Sequence, residues 1–274
     1  MRAQATNRAT TKEGPVVGVI GGSGLYESGL FTSQKEHKMS TPWGSPSGFI
    51  EEGEIDGVRS FFLSRHGKGH TIPAHRVNYR ANIDALKSLG VDAIITVNSV
   101  GSLREELPPG TFVLPEQFID FTKNRPTTFY DGGKTYHISM ADPFCPILSR
   151  TAVDSGKAAR IPMVTSKTYV CVEGPRFSTR AESRFFRTLA DVIGMTLCPE
   201  AQLAREREIC YLPICMVTDF DVWADRPVEA TDIAAVLSSN VTRVRKLIQD
   251  LVPNIPSRSD RACHCQDSLS QAGL

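Results

Sequence analysis

Pro15-Val-Val-Gly-Val-Ile-Gly-Gly22 is an unbroken apolar run of strand length that stops at a glycine pair. A strand apolar at every position, rather than at alternate ones, is buried on both faces, and such strands belong to parallel or mixed sheets with helices on either side. The chain must therefore supply covering helices, and it does so in alternation with further strands. The patterning predicts strands near Lys35–Ser40, Ser47–Ile55, Val58–Ser64, Asp92–Val97, Val164–Val172, Val192–Met195 and Ile209–Val217. Helical spacing marks Tyr79–Leu89, Pro146–Gly156 and Arg180–Leu189. It is clearest in the last helix, where Ile233, Val236, Leu237, Val241, Val244, Leu247, Ile248 and Leu251 recur at three- and four-residue steps until Pro253 and Pro256 end it.

Interleaved strands and helices predict a single α/β/α domain over residues 15–256, with a central mixed sheet flanked by helices and ligands at the carboxyl ends of the strands. Residues 1–14, rich in Arg, Thr and Ala, read as a disordered leader, and 257–274 as a C-terminal tail. With 31 basic and 30 acidic side chains the chain has no field suited to nucleic acid or an anionic membrane, so a small molecule is the expected ligand. No apolar run has the length of a secretory signal core or a membrane span, which predicts a cytoplasmic protein.

Three expected strand ends carry groups suited to an anion. Gly21-Gly22-Ser23-Gly24 offers flexible backbone amides and a hydroxyl, but it has neither the Lys-Ser/Thr of a P-loop nor the third glycine of a dinucleotide loop, where Glu27 stands. Ser64-Arg65-His66-Gly67 sets a guanidinium fork beside an imidazole on a glycine-flanked loop. Asn98-Ser99-Val100-Gly101-Ser102 adds short polar side chains and amides. Convergence of Ser23, Arg65, His66 and Asn98 or Ser99 points to a phosphate site, although each loop alone is also compatible with an ordinary turn.

A second group suits a flat base. Glu173-Gly174-Pro175-Arg176-Phe177-Ser178 and Gly194-Met195-Thr196 place an aromatic ring and a thioether where they could face each other across a slot. Thr218-Asp219-Phe220-Asp221-Val222-Trp223 ends a mostly apolar strand in two carboxylates one residue apart, on the same side if the strand continues. A metal is one use for such a pair, but no further ligand cluster lies nearby in sequence. Hydrogen bonding to an aminopurine is the preferred alternative. Five of the seven cysteines sit in apolar contexts as small hydrophobes, whereas Cys263-His264-Cys265 lies in a polar stretch that burial does not explain.

Taken in order, Gly21-Gly22-Ser23-Gly24-Leu25-Tyr26, Thr41-Pro42-Trp43-Gly44, Ser64-Arg65-His66-Gly67, Gly101-Ser102-Leu103-Arg104-Glu105-Glu106, Glu173-Gly174-Pro175-Arg176-Phe177, Met195-Thr196, Pro199-Glu200 and Thr218-Asp219-Phe220-Asp221-Val222-Trp223 resemble the 5′-methylthioadenosine phosphorylases, from about Val16 to Leu251. The resemblance implies a purine nucleoside phosphorylase fold, assembly into trimers or hexamers, and no cofactor beyond inorganic phosphate as co-substrate. It places phosphate against Ser23, Arg65, His66, Asn98, Ser99 and Thr196. The ribose would lie near Met195, and the base against Val100, Gly101, Phe177 and Gly194, with Asp219 and Asp221 facing N7 and the 6-amino group and Asp219 as the acid. Ile233, Val236 and Leu237 would wall the methylthio group, and His137 would come from a neighbouring subunit. The terminal Cys-X-Cys is similar to that of archaeal-type relatives, which makes a Cys263–Cys265 disulfide an expectation, one that would close a small, strained and easily reduced ring. A 6-oxopurine phosphorylase, a nucleoside hydrolase, a redox protein and a non-catalytic nucleoside sensor are the competing readings.

Overall fold

The computed structural model describes residues 14–22, 25, 30, 32–224, 230–270 and 272–273, without the side chains of 32, 230–235, 237 and 239. The expected leader therefore lies outside the described residues up to residue 13. The apolar run forms β1 (Val17–Gly21), buried at every position. It sits between β4 (Val58–Ser64) and β5 (Ala93–Ser102), parallel to both, as an interior strand without exposed faces must. Two antiparallel strands, β2 (Thr32–His37) and β3 (Ile50–Ile55), extend the sheet outward from β4.

On the other side, β6 (Phe112–Phe121), β7 (Met163–Val172), β8 (Val192–Gly194) and β9 (Cys210–Asp219) complete a nine-stranded sheet among the described residues, in the order β2-β3-β4-β1-β5-β8-β7-β6-β9. The order does not end at β9. That strand also pairs with β5 from Ala93↔Cys210 to Gly101↔Asp219, so β5, β8, β7, β6 and β9 close into a ring. Closure removes two free edges and gathers the carboxyl ends of β5, β8 and β9 at one mouth.

Helices α1 (Tyr79–Ser88) and α4 (Glu200–Glu206) cover one face, burying Ile83, Leu86, Leu203 and Ala204. Helices α2 (Pro146–Ala158) and α5 (Ala230–Leu251) cover the other, where Leu148, Leu247, Ile248 and Leu251 are fully buried. Each such side chain contributes about 1.5–3 kcal/mol by leaving water. Helix α3 (Arg180–Phe186) begins at Thr179 in a reciprocal cap, since Thr179 Oγ1 accepts from Glu182 N and Glu182 Oε2 accepts from Thr179 N. The expected α/β/α sandwich over a mixed sheet is thus observed.

Two elements were not expected from the pattern. Strand β6 contains Pro115, and its register against β7 shifts on both sides of that residue, so the alternation that would betray a strand is broken. Helix α4 has seven residues, too few to show a period. A third departure matters more for the site: β5 runs on through Ser102, because β9 pairs with it from Ala93 to Gly101 and β8 takes up Gly101 and Ser102.

Candidate active site

A cavity of about 490 Å³, within the range of small-molecule sites, opens at the carboxyl ends of β1, β4, β5, β8 and β9. Strand parity in β5 decides what enters it. Val97, Ser99, Val100 and Gly101 line the cavity, whereas Thr96 and Asn98 are buried away from it. The alternation holds from Thr96 to Ser99 and lapses at Val100, where the register with β9 shifts. Gly101 is required there, because a Cβ would come within 2.9 Å of Asp219 Oδ1.

The anion end is built around Arg65, which lines the cavity while only 2% exposed. Its Nε and Nη2 donate to the two carboxylate oxygens of Glu200 at 2.8 Å each, and Nη1 donates to Val97 O at 3.2 Å. Burial works against the charge, but Glu200 more than offsets it and raises the guanidinium pKa above its ordinary value. Beside it, His66 has Nδ1 at 2.8 Å from Ile72 O and its ring stacked 4.2 Å from His70. Burial, helped by the Arg65 charge, pushes His66 down to about 4, so the imidazole is neutral near pH 7. A carbonyl only accepts, hence Nδ1 carries the proton and Nε2 presents a lone pair. Thr196 completes this end, and Ser99 stands between it and the base end.

The base end is lined by Phe177, Met195, Ile193 and Gly194, together with Thr218 and the two carboxylates. Asp219 is the last residue of β9, and Asp221 follows in a short 3-10 turn (Asp221–Trp223) with φ 49°. The strand does not continue through both, so a turn rather than the pleat brings the second carboxylate to the cavity. Trp223 anchors that turn, with Nε1 donating to Ser102 O at 2.7 Å and the Arg187 guanidinium 4.0 Å from its ring centre. Asp219 accepts from Thr218 Oγ1 at 2.7 Å and from Asp221 N at 2.8 Å. Asp221 is 5% exposed, and its Oδ2 is buried without a hydrogen-bond partner. Burial raises its carboxyl above the usual range, and the Asp219 charge adds to this.

The model of the phosphorylase superfamily matches residues 16–253. An S-methyl-5′-thioadenosine phosphorylase of Thermofilum pendens is 54% identical over 257 residues, 93% of this chain and 97% of that one. The crystal structure of a methylthioadenosine phosphorylase from an antarctic soil metagenomic library superposes with a TM-score of 0.90 at 43% identity, covering 95% of this chain and 93% of that one. A variant of the adenosine/methylthioadenosine phosphorylase of Schistosoma mansoni in complex with methylthioadenosine gives 0.84 at 37% identity, covering 88% and 91%. The chain belongs to the S-methyl-5′-thioadenosine phosphorylases of the phosphorylase superfamily.

Not every expected site position lines this cavity among the described residues. Asn98, expected at the phosphate, is 1% exposed and stands one layer behind Thr196, whose hydroxyl donates to its Oδ1 at 2.9 Å. Ser23 lies outside the described residues, as do the side chains of Ile233 and Leu237. Val236 is half-buried and does not line the cavity; Val241 and Val244, further along α5, do. His137 lies outside the cavity of its own chain, its backbone N–H donating to Ala272 O.

The tail is not the polar extension the sequence suggests. Arg261 is buried and donates to Asp92, and Cys265 is 2% exposed. Cys263 and Cys265 join Cys145 and Cys210, with all four sulfurs within 4.8 Å of one another and Cys210 Sγ 3.6 Å from Cys263 Sγ. All are free thiols. Such a set has the softness for a metal, but it lies at the start of β9, about 30 Å of strand away from Asp219 at its end.

One organising residue escaped the sequence reading. Buried Arg125 donates to Met195 O at 2.7 Å, to Glu173 O at 2.6 Å and to Tyr79 OH at 3.2 Å. It therefore ties the two loops that carry Phe177 and Met195. In sequence it stands in Lys123-Asn124-Arg125-Pro126, which has the look of a solvated turn.

Proposed function

We propose that this chain cleaves 5′-methylthioadenosine with inorganic phosphate, giving adenine and 5-methylthioribose 1-phosphate. The observation that carries the reading is a single cavity with Arg65, His66 and Thr196 at one end, Asp219 and Asp221 at the other, and Phe177 and Met195 alongside. Phosphate would attack the anomeric carbon while the glycosidic bond breaks, so positive charge develops on the sugar and negative charge on the base. Phosphate beside the first and a proton at N7 for the second are what the transition state requires. The reaction needs no metal or organic cofactor.

The proton would come from the carboxylate pair, with Asp219 as the donor to N7. Two close carboxyls hold one proton more readily than either does alone, which the raised Asp221 carboxyl supports. The same pair would accept from the 6-amino group, which favours an aminopurine over a 6-oxopurine, whose oxygen would leave an acceptor unpaired.

Assembly into trimers or hexamers, with His137 entering a neighbouring subunit's site, and a cytoplasmic location belong to the same proposal, as does a Cys263–Cys265 disulfide under oxidising conditions. The test is incubation with methylthioadenosine, with and without phosphate, reading released adenine. Release that requires phosphate is expected. Equal release without it would make the chain a hydrolase, and none in either case a binder.

A further inference from the structure

Behind the anion end runs an unbroken line of buried hydrogen bonds. It starts at Glu200, whose Oε1 accepts from Arg65 Nη2 and from Tyr211 OH, each at 2.8 Å. Thr96 Oγ1 lies 3.2 Å from the Tyr211 oxygen, Asn98 Nδ2 donates to Thr96 Oγ1 at 2.8 Å, and Thr196 Oγ1 donates to Asn98 Oδ1 at 2.9 Å. All five residues are buried, and of the five only Thr196 lines the cavity.

The direction of every proton in this line follows from its inner end. A carboxylate can only accept, so Tyr211 spends its one proton on Glu200. The Tyr211 oxygen must then accept from Thr96, whose own oxygen accepts from the Asn98 amide nitrogen. That fixes the amide with Oδ1 toward Thr196, which spends its proton there. Turning the Asn98 amide over would forfeit the Thr96–Tyr211 bond, so the line is complete in this sense alone. Thr196 therefore shows the cavity lone pairs and no proton. His66 does the same, since Nδ1 is committed to Ile72 O.

We propose that Glu200, Tyr211, Thr96 and Asn98 are positioning residues that turn Thr196 into a hydrogen-bond acceptor, so that the site selects a tetrahedral anion carrying a proton over a fully deprotonated one. The inference rests on phosphate as co-substrate of this cavity. Near neutral pH phosphate and arsenate keep at least one proton and can donate to Thr196, whereas sulfate of nearly the same size and shape has none. Sulfate would set an oxygen against an acceptor and leave both without a proton to share.

The experiment measures methylthioadenosine cleavage at pH 7.5 with phosphate varied and sulfate added as a competitor, and with arsenate in place of phosphate. The expected inhibition constant of sulfate lies at least about tenfold above the Michaelis constant of phosphate, the size of one hydrogen bond to a charged group, and arsenate follows phosphate. In Tyr211→Phe the Thr96 hydroxyl loses its acceptor and is free to donate to a turned Asn98 amide, which releases the Thr196 proton into the cavity. The sulfate-to-phosphate ratio should then fall severalfold while the Michaelis constant for the nucleoside stays unchanged, a split that general loosening of the fold would not give. Thr196→Val, which removes the acceptor, should narrow the ratio as well. Sulfate competing as well as phosphate in the unaltered protein would overturn the proposal, whether or not the variants fold, and so would an unchanged ratio in both variants. Cleavage that does not depend on phosphate at all would instead overturn the functional reading and this inference with it.

Discussion

At the anion end of the cavity, Arg65, His66 and Thr196 each have partners inside the chain, whereas at the base end Asp221 keeps a buried carboxyl oxygen with none. The first end is wired before a ligand arrives, and its ligand meets groups whose donor and acceptor roles are already assigned. The second is left incomplete, at the cost of a buried polar atom, and a base bearing an amino group would complete it. Rigid wiring suits an anion that must be aligned for attack. A carboxyl pair in which burial favours the protonated form of one member suits a step in which a proton must leave the protein.

The comparison is broken most forcefully at Glu200. Glu200→Gln removes one charge of a fully buried pair and leaves Arg65 uncompensated, which is expected to destabilise the fold by about 3–5 kcal/mol. Urea unfolding would show it. A loss below about 1 kcal/mol would mean that Arg65 finds other partners and that the anion end is not prewired as described. Truncating the unpaired side should behave differently. Asp221→Asn replaces a carboxyl raised by burial with a neutral amide, so stability is expected to hold or rise while turnover falls.

Next in size is the proton donor. Asp219→Asn is expected to lower turnover by about 10²-fold or more, roughly 2.7 kcal/mol of transition-state stabilisation. Steady-state kinetics with methylthioadenosine under saturating phosphate measure it. Near-normal turnover in Asp219→Asn together with a large loss in Asp221→Asn would move the acid to Asp221, the carboxyl whose surroundings already favour its proton.

The unequal legibility of the two ends has the same physical root. Arg65 and His66 announce themselves because they stand together on a glycine-flanked turn after an apolar strand. The line behind them does not, since Glu200 is 135 residues from Arg65 in sequence and only the packing of α4 under the sheet joins them. Asn98 and Ser99 are one residue apart, and which of them meets the cavity depends on whether β5 continues. That is settled by pairing with β9, a partner more than a hundred residues away. The alternation of the core was readable wherever side chains leave water in a period, and unreadable where Pro115 broke the period or where α4 was too short to have one. The thiols near Cys263 are not legible because a stretch polar in composition buries Cys265 and half-buries Cys263 against the core.

The smallest of these effects concerns acid, and it separates the ends by sign. His66 has a folded pKa of about 4 against an ordinary 6.5, because burial and Arg65 oppose its charge. A depressed imidazole contributes nothing above pH 6.5. As pH falls below that value the unfolded chain takes up a proton that the folded chain refuses, so stability is lost until pH reaches about 4. Between pH 7 and pH 5 the loss from this residue is about 2 kcal/mol. Asp221 acts in the opposite direction, since a raised carboxyl is a burden at neutral pH that acid relieves. Unfolding curves at pH 7 and pH 5 for the unaltered chain and for His66→Gln isolate the first term: the variant should lose about 2 kcal/mol less on acidification. Saturating phosphate should shrink that difference, because an anion beside His66 favours its charged form. An acid response identical in the two chains would mean that His66 is not held neutral, and the anion end would then offer phosphate a donor where the geometry at Ile72 assigns an acceptor.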